Sequence, residues 1–263
     1  MGNLQITQIS TIAVPNPICY EQPLTKPIRL FIRFEQLMSQ FAGHLQRTTP
    51  EDAHSAILTL LEIYQLTMHV DLKAEVMREI DRMSLAMKQH DNDLMARNLE
   101  MLQTGSQSVS AIRGQLGGHL KDHHFFNLVR QRMSMPGGIN SFDLPIYHHW
   151  LAQSADDKKN MLTNWIQPYS EINRTIKEIL IQVRKDCRSQ QVTAEQGYYQ
   201  QTFKINEHYQ MLRVILPHSI SAYPEVSSGR QRVSIRFFDP LDLGTRPGQS
   251  TETLEFELMY CGL

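Results

Sequence analysis

The chain is short of the features that assign a function quickly. Among 263 residues there are three cysteines and two tryptophans, and 26 Lys+Arg against 27 Asp+Glu give a formal charge of −1. Three scattered cysteines exclude a disulfide scaffold. None of Cys19, Cys187 and Cys261 sits in a C-x-x-C pair, so thiols in a reducing compartment are the expectation. The near-zero net charge argues against general nucleic-acid affinity, while leaving room for a local basic patch. No long hydrophobic run is present: the most apolar stretch, Ala56 to Ile63, is short and broken by Glu62, so no membrane insertion is expected. The N-terminus lacks a basic region followed by an apolar one, and Ile6 stands where myristoylation needs Ser or Thr. Cys261 lies one place too late for prenylation, and the resulting expectation is a cytoplasmic protein.

The motifs of common chemistry are also missing. The sequence holds no P-loop, no dinucleotide-binding G-x-G-x-x-G after a strand, no H-E-x-x-H and no G-x-S-x-G, so no cofactor is expected. His123-His124 and His148-His149 are adjacent pairs, and neighbouring helical residues do not share a face. Without accompanying cysteines or carboxylates they read as surface or capping histidines, with no metal site. No pair of carboxylates stands out as general acid and base. The expectation is a protein that is not an enzyme.

What is present is a change of hydrophobic period. Residues 1–17 are polar and weakly patterned, and read as a flexible extension. An extended piece around Ile18 to Tyr20 follows. From Pro27 the spacing predicts a helix with Ile28, Phe31, Ile32, Phe34, Leu37, Met38 and Phe41 on its apolar side. Thr49-Pro50-Glu51-Asp52 opens a second, through Ile57, Leu60, Leu61 and Tyr64, and Asp71 caps a third. Asp91 or Asp93 opens a fourth. A weaker helical stretch near Ser108 to Leu116 ends at Gly117-Gly118, and Asp122 to Met133 is helical again. After a break at Ser134 to Gly138, Asp143-Leu144-Pro145 starts another helix, with Asp143 as its N-cap. Ser154 to Asp157 reads as a capping box, and Ile172, Ile176, Ile179, Leu180 and Val183 mark a last long helix.

From about Ser189 the period becomes two. Gly197 to Phe203, Tyr209 to Leu216, Arg232 to Phe238 and Leu254 to Leu258 read as strands, with loops at Ser227 to Gly229 and Leu243 to Ser250. The fold class is α+β: an extension (1–17), a mainly helical domain (18–188), then a small, mostly antiparallel β-strand domain (189–263).

Two basic groups are candidate contact sites. Strand alternation in Arg232-Val233-Ser234-Ile235-Arg236-Phe237 puts both arginines on the face opposite the apolar residues, with Arg230 just upstream. The plain alternative is a solvated face paired with Glu255 and Glu257 of the last strand. Arg130 and Arg132 form the second group, before a Pro136-Gly137-Gly138 bend that reads as a turn with glycines at positive φ. On these residues alone, a nucleic-acid-binding module is an alternative.

The run Leu128 to Gly138, with its continuation Ser141-Phe142-Asp143-Leu144-Pro145, resembles the signature of the ZapD family, FtsZ-associated cell division proteins of bacteria. Tyr20-Glu21-Gln22-Pro23-Leu24, the Arg232 to Phe237 strand and Leu254 to Leu258 agree with it, so the likeness runs from about Ile18 to the C-terminus. The resemblance implies a helical domain joined to a β domain and assembled as a homodimer. It further implies binding to the C-terminal tail of FtsZ and crosslinking of FtsZ filaments at the division ring, without nucleic acid. Carried over by position, the tail-binding residues are Arg33, His148, Arg232 and Arg236. The chain departs from the family at His124, which stands where relatives have an arginine. It departs again near the end of the second helix, where a loop around Leu66-Thr67-Met68 looks lengthened and His69 is the nearest basic residue.

Overall fold

The computed structural model describes residues 17–262 except 48, 89–92, 134, 136, 137, 141, 204–208, 230, 231 and 241–243. Residues 1–16, Arg230, Pro136 and Gly137 thus lie outside the described residues. Helices fill the N-terminal part and antiparallel sheets the C-terminal part, an α+β fold.

The helices run α1 (Lys26–Leu45), α2 (Pro50–His69), α3 (Leu72–Met87), α4 (Asp93–Ala111), α5 (Gly118–Lys121), α6 (His124–Met133), α7 (Pro145–Leu151), α8 (Ala155–Ile166) and α9 (Ser170–Lys185). Their starts follow local chemistry. Thr49, Asp71 and Ser154 each accept a backbone N–H three residues on, at 3.1 Å. This satisfies donors that the first helical turn leaves without partners. On α1 the residues Ile28, Phe31, Phe34, Leu37, Met38 and Phe41 are buried, and on α9 Ile172, Ile176, Ile179, Leu180 and Val183. These stripes pack α1 against α2 and α9, and α4 against α9.

Three helical expectations change. The weak stretch near Ser108 belongs to α4, which stays helical because Val109 is buried and Gly105 lies tight against Thr175 of α9. Gly117-Gly118 begins α5 rather than ending a helix, with Gly117 at φ +81. The supposed loop at Leu66-Thr67-Met68 is the last turn of α2, where Thr67 Oγ1 donates to the Ile63 carbonyl at 3.1 Å.

The strands are β1 (Ile18–Pro23), β2 (Cys187–Ala194), β3 (Tyr198–Thr202), β4 (Met211–Leu216), β5 (Tyr223–Ser228), β6 (Arg232–Phe238) and β7 (Leu254–Cys261). They form one sheet in the order β1-β4-β7-β2 and another in the order β3-β6-β5. The inner faces meet through rings: Phe237 of β6 and Tyr199 of β3 lie 4.9 and 5.6 Å from Phe256 of β7. Between β2 and β3 the two-residue turn Gln196-Gly197 has φ of +51 and +67, the backbone that suits tight hairpins. A Cβ on Gly197 would stand 2.4 Å from the Ser250 carbonyl oxygen, so only glycine fits there.

The described residues divide into two compact units, 23–186 with 262 and 17–22 with 187–261. Residues 18–22 of β1 therefore go with the sheets and not with the helices that follow, because their backbone groups find partners in the sheet. The expected loop at Ser227 to Gly229 begins inside β5, whose Pro224 is tolerated because β5 is an edge strand. The cysteine expectation is corrected as well. Cys187 and Cys261 stand directly opposite in the β2–β7 register, Cα atoms 4.2 Å apart, and are joined in a disulfide, leaving Cys19 as an exposed thiol. Linear spacing hides a pair that strand register creates.

Candidate functional site

Strand β6 is central in its sheet, between β3 and β5. Val233, Ile235 and Phe237 are fully buried on its inner face, and burial of that row fixes which residues point outward. Arg232 and Arg236 are both exposed on the outer face, with Ser234 between them. Four residues of strand separate their Cα atoms by about 13 Å.

The neighbours differ from the plain expectation. Glu255 and Glu257 belong to β7, which is in the other sheet, and Glu257 accepts a hydrogen bond from Ser189. Across from Arg232 stands Thr202; across from Arg236 stand Tyr198 on one side and Glu225 on the other. Neither arginine has a carboxylate within salt-bridge distance among the described residues. The Arg236 guanidinium lies over the Tyr198 ring, 6.0 Å from its centroid.

The candidates in the helical unit stand on separate helices. Arg33 is exposed on α1, as its polar position required, but its guanidinium is paired with Glu62 of α2. His148 is exposed on α7, beside the buried Tyr147 and Trp150. Tyr147 meets α2 through His54, Oη to Nδ1 2.7 Å. Burial pushes the Tyr147 hydroxyl well above its ordinary range and lowers the His54 imidazole. Both points of attachment lie on α2, eight residues or about 12 Å of axis apart. His124 is the exposed first residue of α6, while its neighbour His123 accepts the Phe126 N–H at 3.3 Å, as a capping histidine does.

Described residues of the central motif make contacts within the helical unit. Arg130 lies over the Tyr64 ring at 5.7 Å, and Arg132 pairs with Asp143 at 3.7 Å. Asp143 is thus not the N-cap of α7. Leu144 holds that position without a side-chain bond, and Pro145 behind it supplies the preset helical φ. Gly138 has φ +64, the left-handed turn geometry expected of it. Arg130 and Arg132 are therefore engaged within their own unit, which weakens them as an anion-binding group.

Sequence reading overlooked Glu62, the partner of Arg33, and Tyr198, the ring beneath Arg236. The first had no sequence signal, since it needs the α1–α2 packing. The second had a partial one, the aromatic run Tyr198-Tyr199. Among the described residues no group of three or more His, Cys, Asp or Glu is placed to hold a metal ion, and no helix is long and apolar enough to cross a membrane.

Comparison with known proteins adds a family to this geometry. The sequence model of ZapD, a cell division protein, matches residues 32–236. The chain is 32% identical over 252 residues to the cell division protein ZapD of Azoarcus sp., covering 94% of this chain and 100% of that protein. It is similar to the same extent, 32% over 252 residues, to the cell division protein ZapD of Nitrosomonas eutropha, again with 94% and 100% covered. For that of Coxiella burnetii the figures are 29% over 256 residues, 94% and 99%. A match over most of the chain, with near-complete coverage of each relative, places it: the chain belongs to the ZapD family of cell division proteins.

Proposed function

We propose that this cell division protein is a non-enzymatic factor that binds the C-terminal tail of FtsZ and, as a homodimer, crosslinks FtsZ filaments at the division ring. The observation that carries the reading is the outer face of β6, where Arg232 and Arg236 are exposed and have no acid partner among the described residues. Guanidiniums held by a rigid strand suit carboxylates, which they bind in a forked, two-bond geometry. Arg33, His148 and His124 add basic positions on the helical unit, and Arg230, two residues before Arg232 in the sequence, is a further candidate that lies outside the described residues. A dimer would carry two equivalent sets. Filaments that present many tails would then be held through effective concentration, even where each contact is weak. Recruitment to midcell follows from the same binding and needs no membrane segment.

Sedimentation of GTP-assembled FtsZ tests this, with full-length FtsZ beside FtsZ lacking its C-terminal tail. Co-pelleting and bundling are expected only with the full-length form. Arg232→Glu with Arg236→Glu, folded by circular dichroism, should lose both, because each charge-assisted contact is worth about 1.5–3 kcal/mol and two together about a hundredfold or more in affinity. Co-pelleting with tail-less FtsZ, or undiminished bundling by the double variant, would overturn the reading. A nucleic-acid module built on the same arginines would ignore the tail, whereas salt dependence alone separates nothing, since both interfaces would be charge-rich.

A further inference from the structure

Arg236 is more than an exposed cation on a strand. It lines an open groove on the β unit together with Tyr198, Gln196, Gln249 and Thr193. The groove is polar and its rim is fixed. Gln249 Nε2 donates to the Gln196 carbonyl at 2.9 Å, and the Gly197 N–H donates to the Glu252 carbonyl at 2.9 Å. The Phe237 N–H donates to the Gly197 carbonyl at 2.8 Å, which ties the same turn to β6. Close approach of Gly197 to Ser250 leaves that turn no room to shift. A groove tied down this way needs little reordering when a ligand enters.

We infer that the Tyr198–Arg236 pair is the carboxylate-reading part of a groove for an extended peptide, with Tyr198 as the positioning residue that holds the Arg236 guanidinium in place. Three observations meet there. Tyr198 and Arg236 are direct partners in the β3–β6 register, so the ring lies beneath the guanidinium by construction of the sheet. The ring is itself anchored, its hydroxyl donating to Gln200 Oε1 at 2.6 Å. The ring face then takes one side of the guanidinium and leaves its N–H fork open to solvent. Glu195 also lines the groove and Glu225 stands across from Arg236, but neither comes within ion-pair distance of it. Those two acids select against a second negative group close by. The groove therefore takes one carboxylate, flanked by main chain or neutral polar residues that meet the amides of Gln196 and Gln249.

The inference rests on the tail-binding reading, and its test separates the two. A labelled synthetic peptide of the FtsZ C-terminal tail is titrated with the full-length protein by fluorescence anisotropy. Tyr198→Phe keeps the ring but loses its anchor to Gln200, and is expected to bind more tightly than Tyr198→Leu and no more tightly than the parent. Tyr198→Leu keeps apolar bulk without the ring face and should bind about two- to fivefold more weakly. In an Arg236→Ala background the same Tyr198→Leu change should have no further effect, which loss of packing alone would not produce. Should Tyr198→Leu fail to fold, Tyr198→Met takes its place. Equal binding by Tyr198→Leu and the parent, or an undiminished effect in the Arg236→Ala background, overturns the role of Tyr198 while the tail-binding reading stands. If Arg236→Ala itself binds the peptide normally, the inference falls while tail binding stands; if the parent protein does not bind the peptide, the tail-binding reading falls.

Discussion

Arg33 is held by Glu62, and that pairing makes an unusual prediction: removing an acid should strengthen binding. Both side chains are about half exposed, 48% and 50%. A tail carboxylate that uses Arg33 must share it with Glu62 or displace it, and meets the Glu62 charge in either case. Two unit charges 4 Å apart in water interact by about 1 kcal/mol, and exposed pairs measured in proteins lie at about 0–1 kcal/mol. Glu62→Gln keeps the shape and removes the charge. Tail affinity should then rise by about two- to fivefold at low salt, because 1.4 kcal/mol corresponds to tenfold. The gain should fade toward 1 M salt, where the screening length is about 3 Å. Stability of the helical unit should fall by less than about 1 kcal/mol. Fluorescence anisotropy with the tail peptide at two salt concentrations checks this, beside Arg33→Ala, which should weaken binding. Weaker binding by Glu62→Gln would refute the reasoning, since Glu62 would then be orienting Arg33 for the ligand rather than occupying it. No loss in Arg33→Ala would remove Arg33 from the site.

Two further outcomes are expected. The Cys187–Cys261 disulfide closes a segment with a sequence separation of 74, so on the chain-entropy account its reduction removes up to about 4.5 kcal/mol from the β unit. Calorimetry with and without reductant should show that loss, and thiol titration of the unreduced, denatured protein should find Cys19 alone; three thiols there would contradict the pairing. His54, lowered by burial, resists protonation in the folded state, so its contribution is complete above the unfolded value of about 6.5 and is lost as pH falls toward its folded value. NMR titration should place the His54 midpoint below 6.5, and a midpoint at or above 6.5 would refute the burial account.

Much of this fold could be read from the chain because its signals are local. The caps at Thr49, Asp71 and Ser154 act within three residues, and the apolar stripes of α1 and α9 recur every turn. Strand β6 matches its expected bounds, Arg232 to Phe238, because three inward residues alternate with polar ones. What stayed hidden depends on distant partners. The strand Ile18–Pro23 joins a sheet whose other members lie far along the chain, and Cys187 meets Cys261 only through register. The bounds of α4 turned on Gly105 packing against Thr175. Asp143 had the residue type of an N-cap, yet its partner is Arg132.

The candidate site divides along the same line. Alternation alone implies that Arg232 and Arg236 are exposed, but exposure does not tell a contact residue from a solvated one. What separates the arginines of this chain is what each one touches. Arg132 and Arg184 are paired with Asp143 and Glu35, and Arg213 with Glu21, all within their own units. A ligand that took one of them would first break an interaction the fold already has. Arg236 instead rests on an aromatic ring, which stabilises a cation without using up its hydrogen-bond donors. A carboxylate arriving there replaces water only, so the whole of a charge-assisted bond is available to binding. Arg33 lies between these cases, since its acid is half exposed and removable. Tail binding should therefore respond most to Arg236, less to Arg33 and little to Arg132, an order set by prior partners and not by exposure.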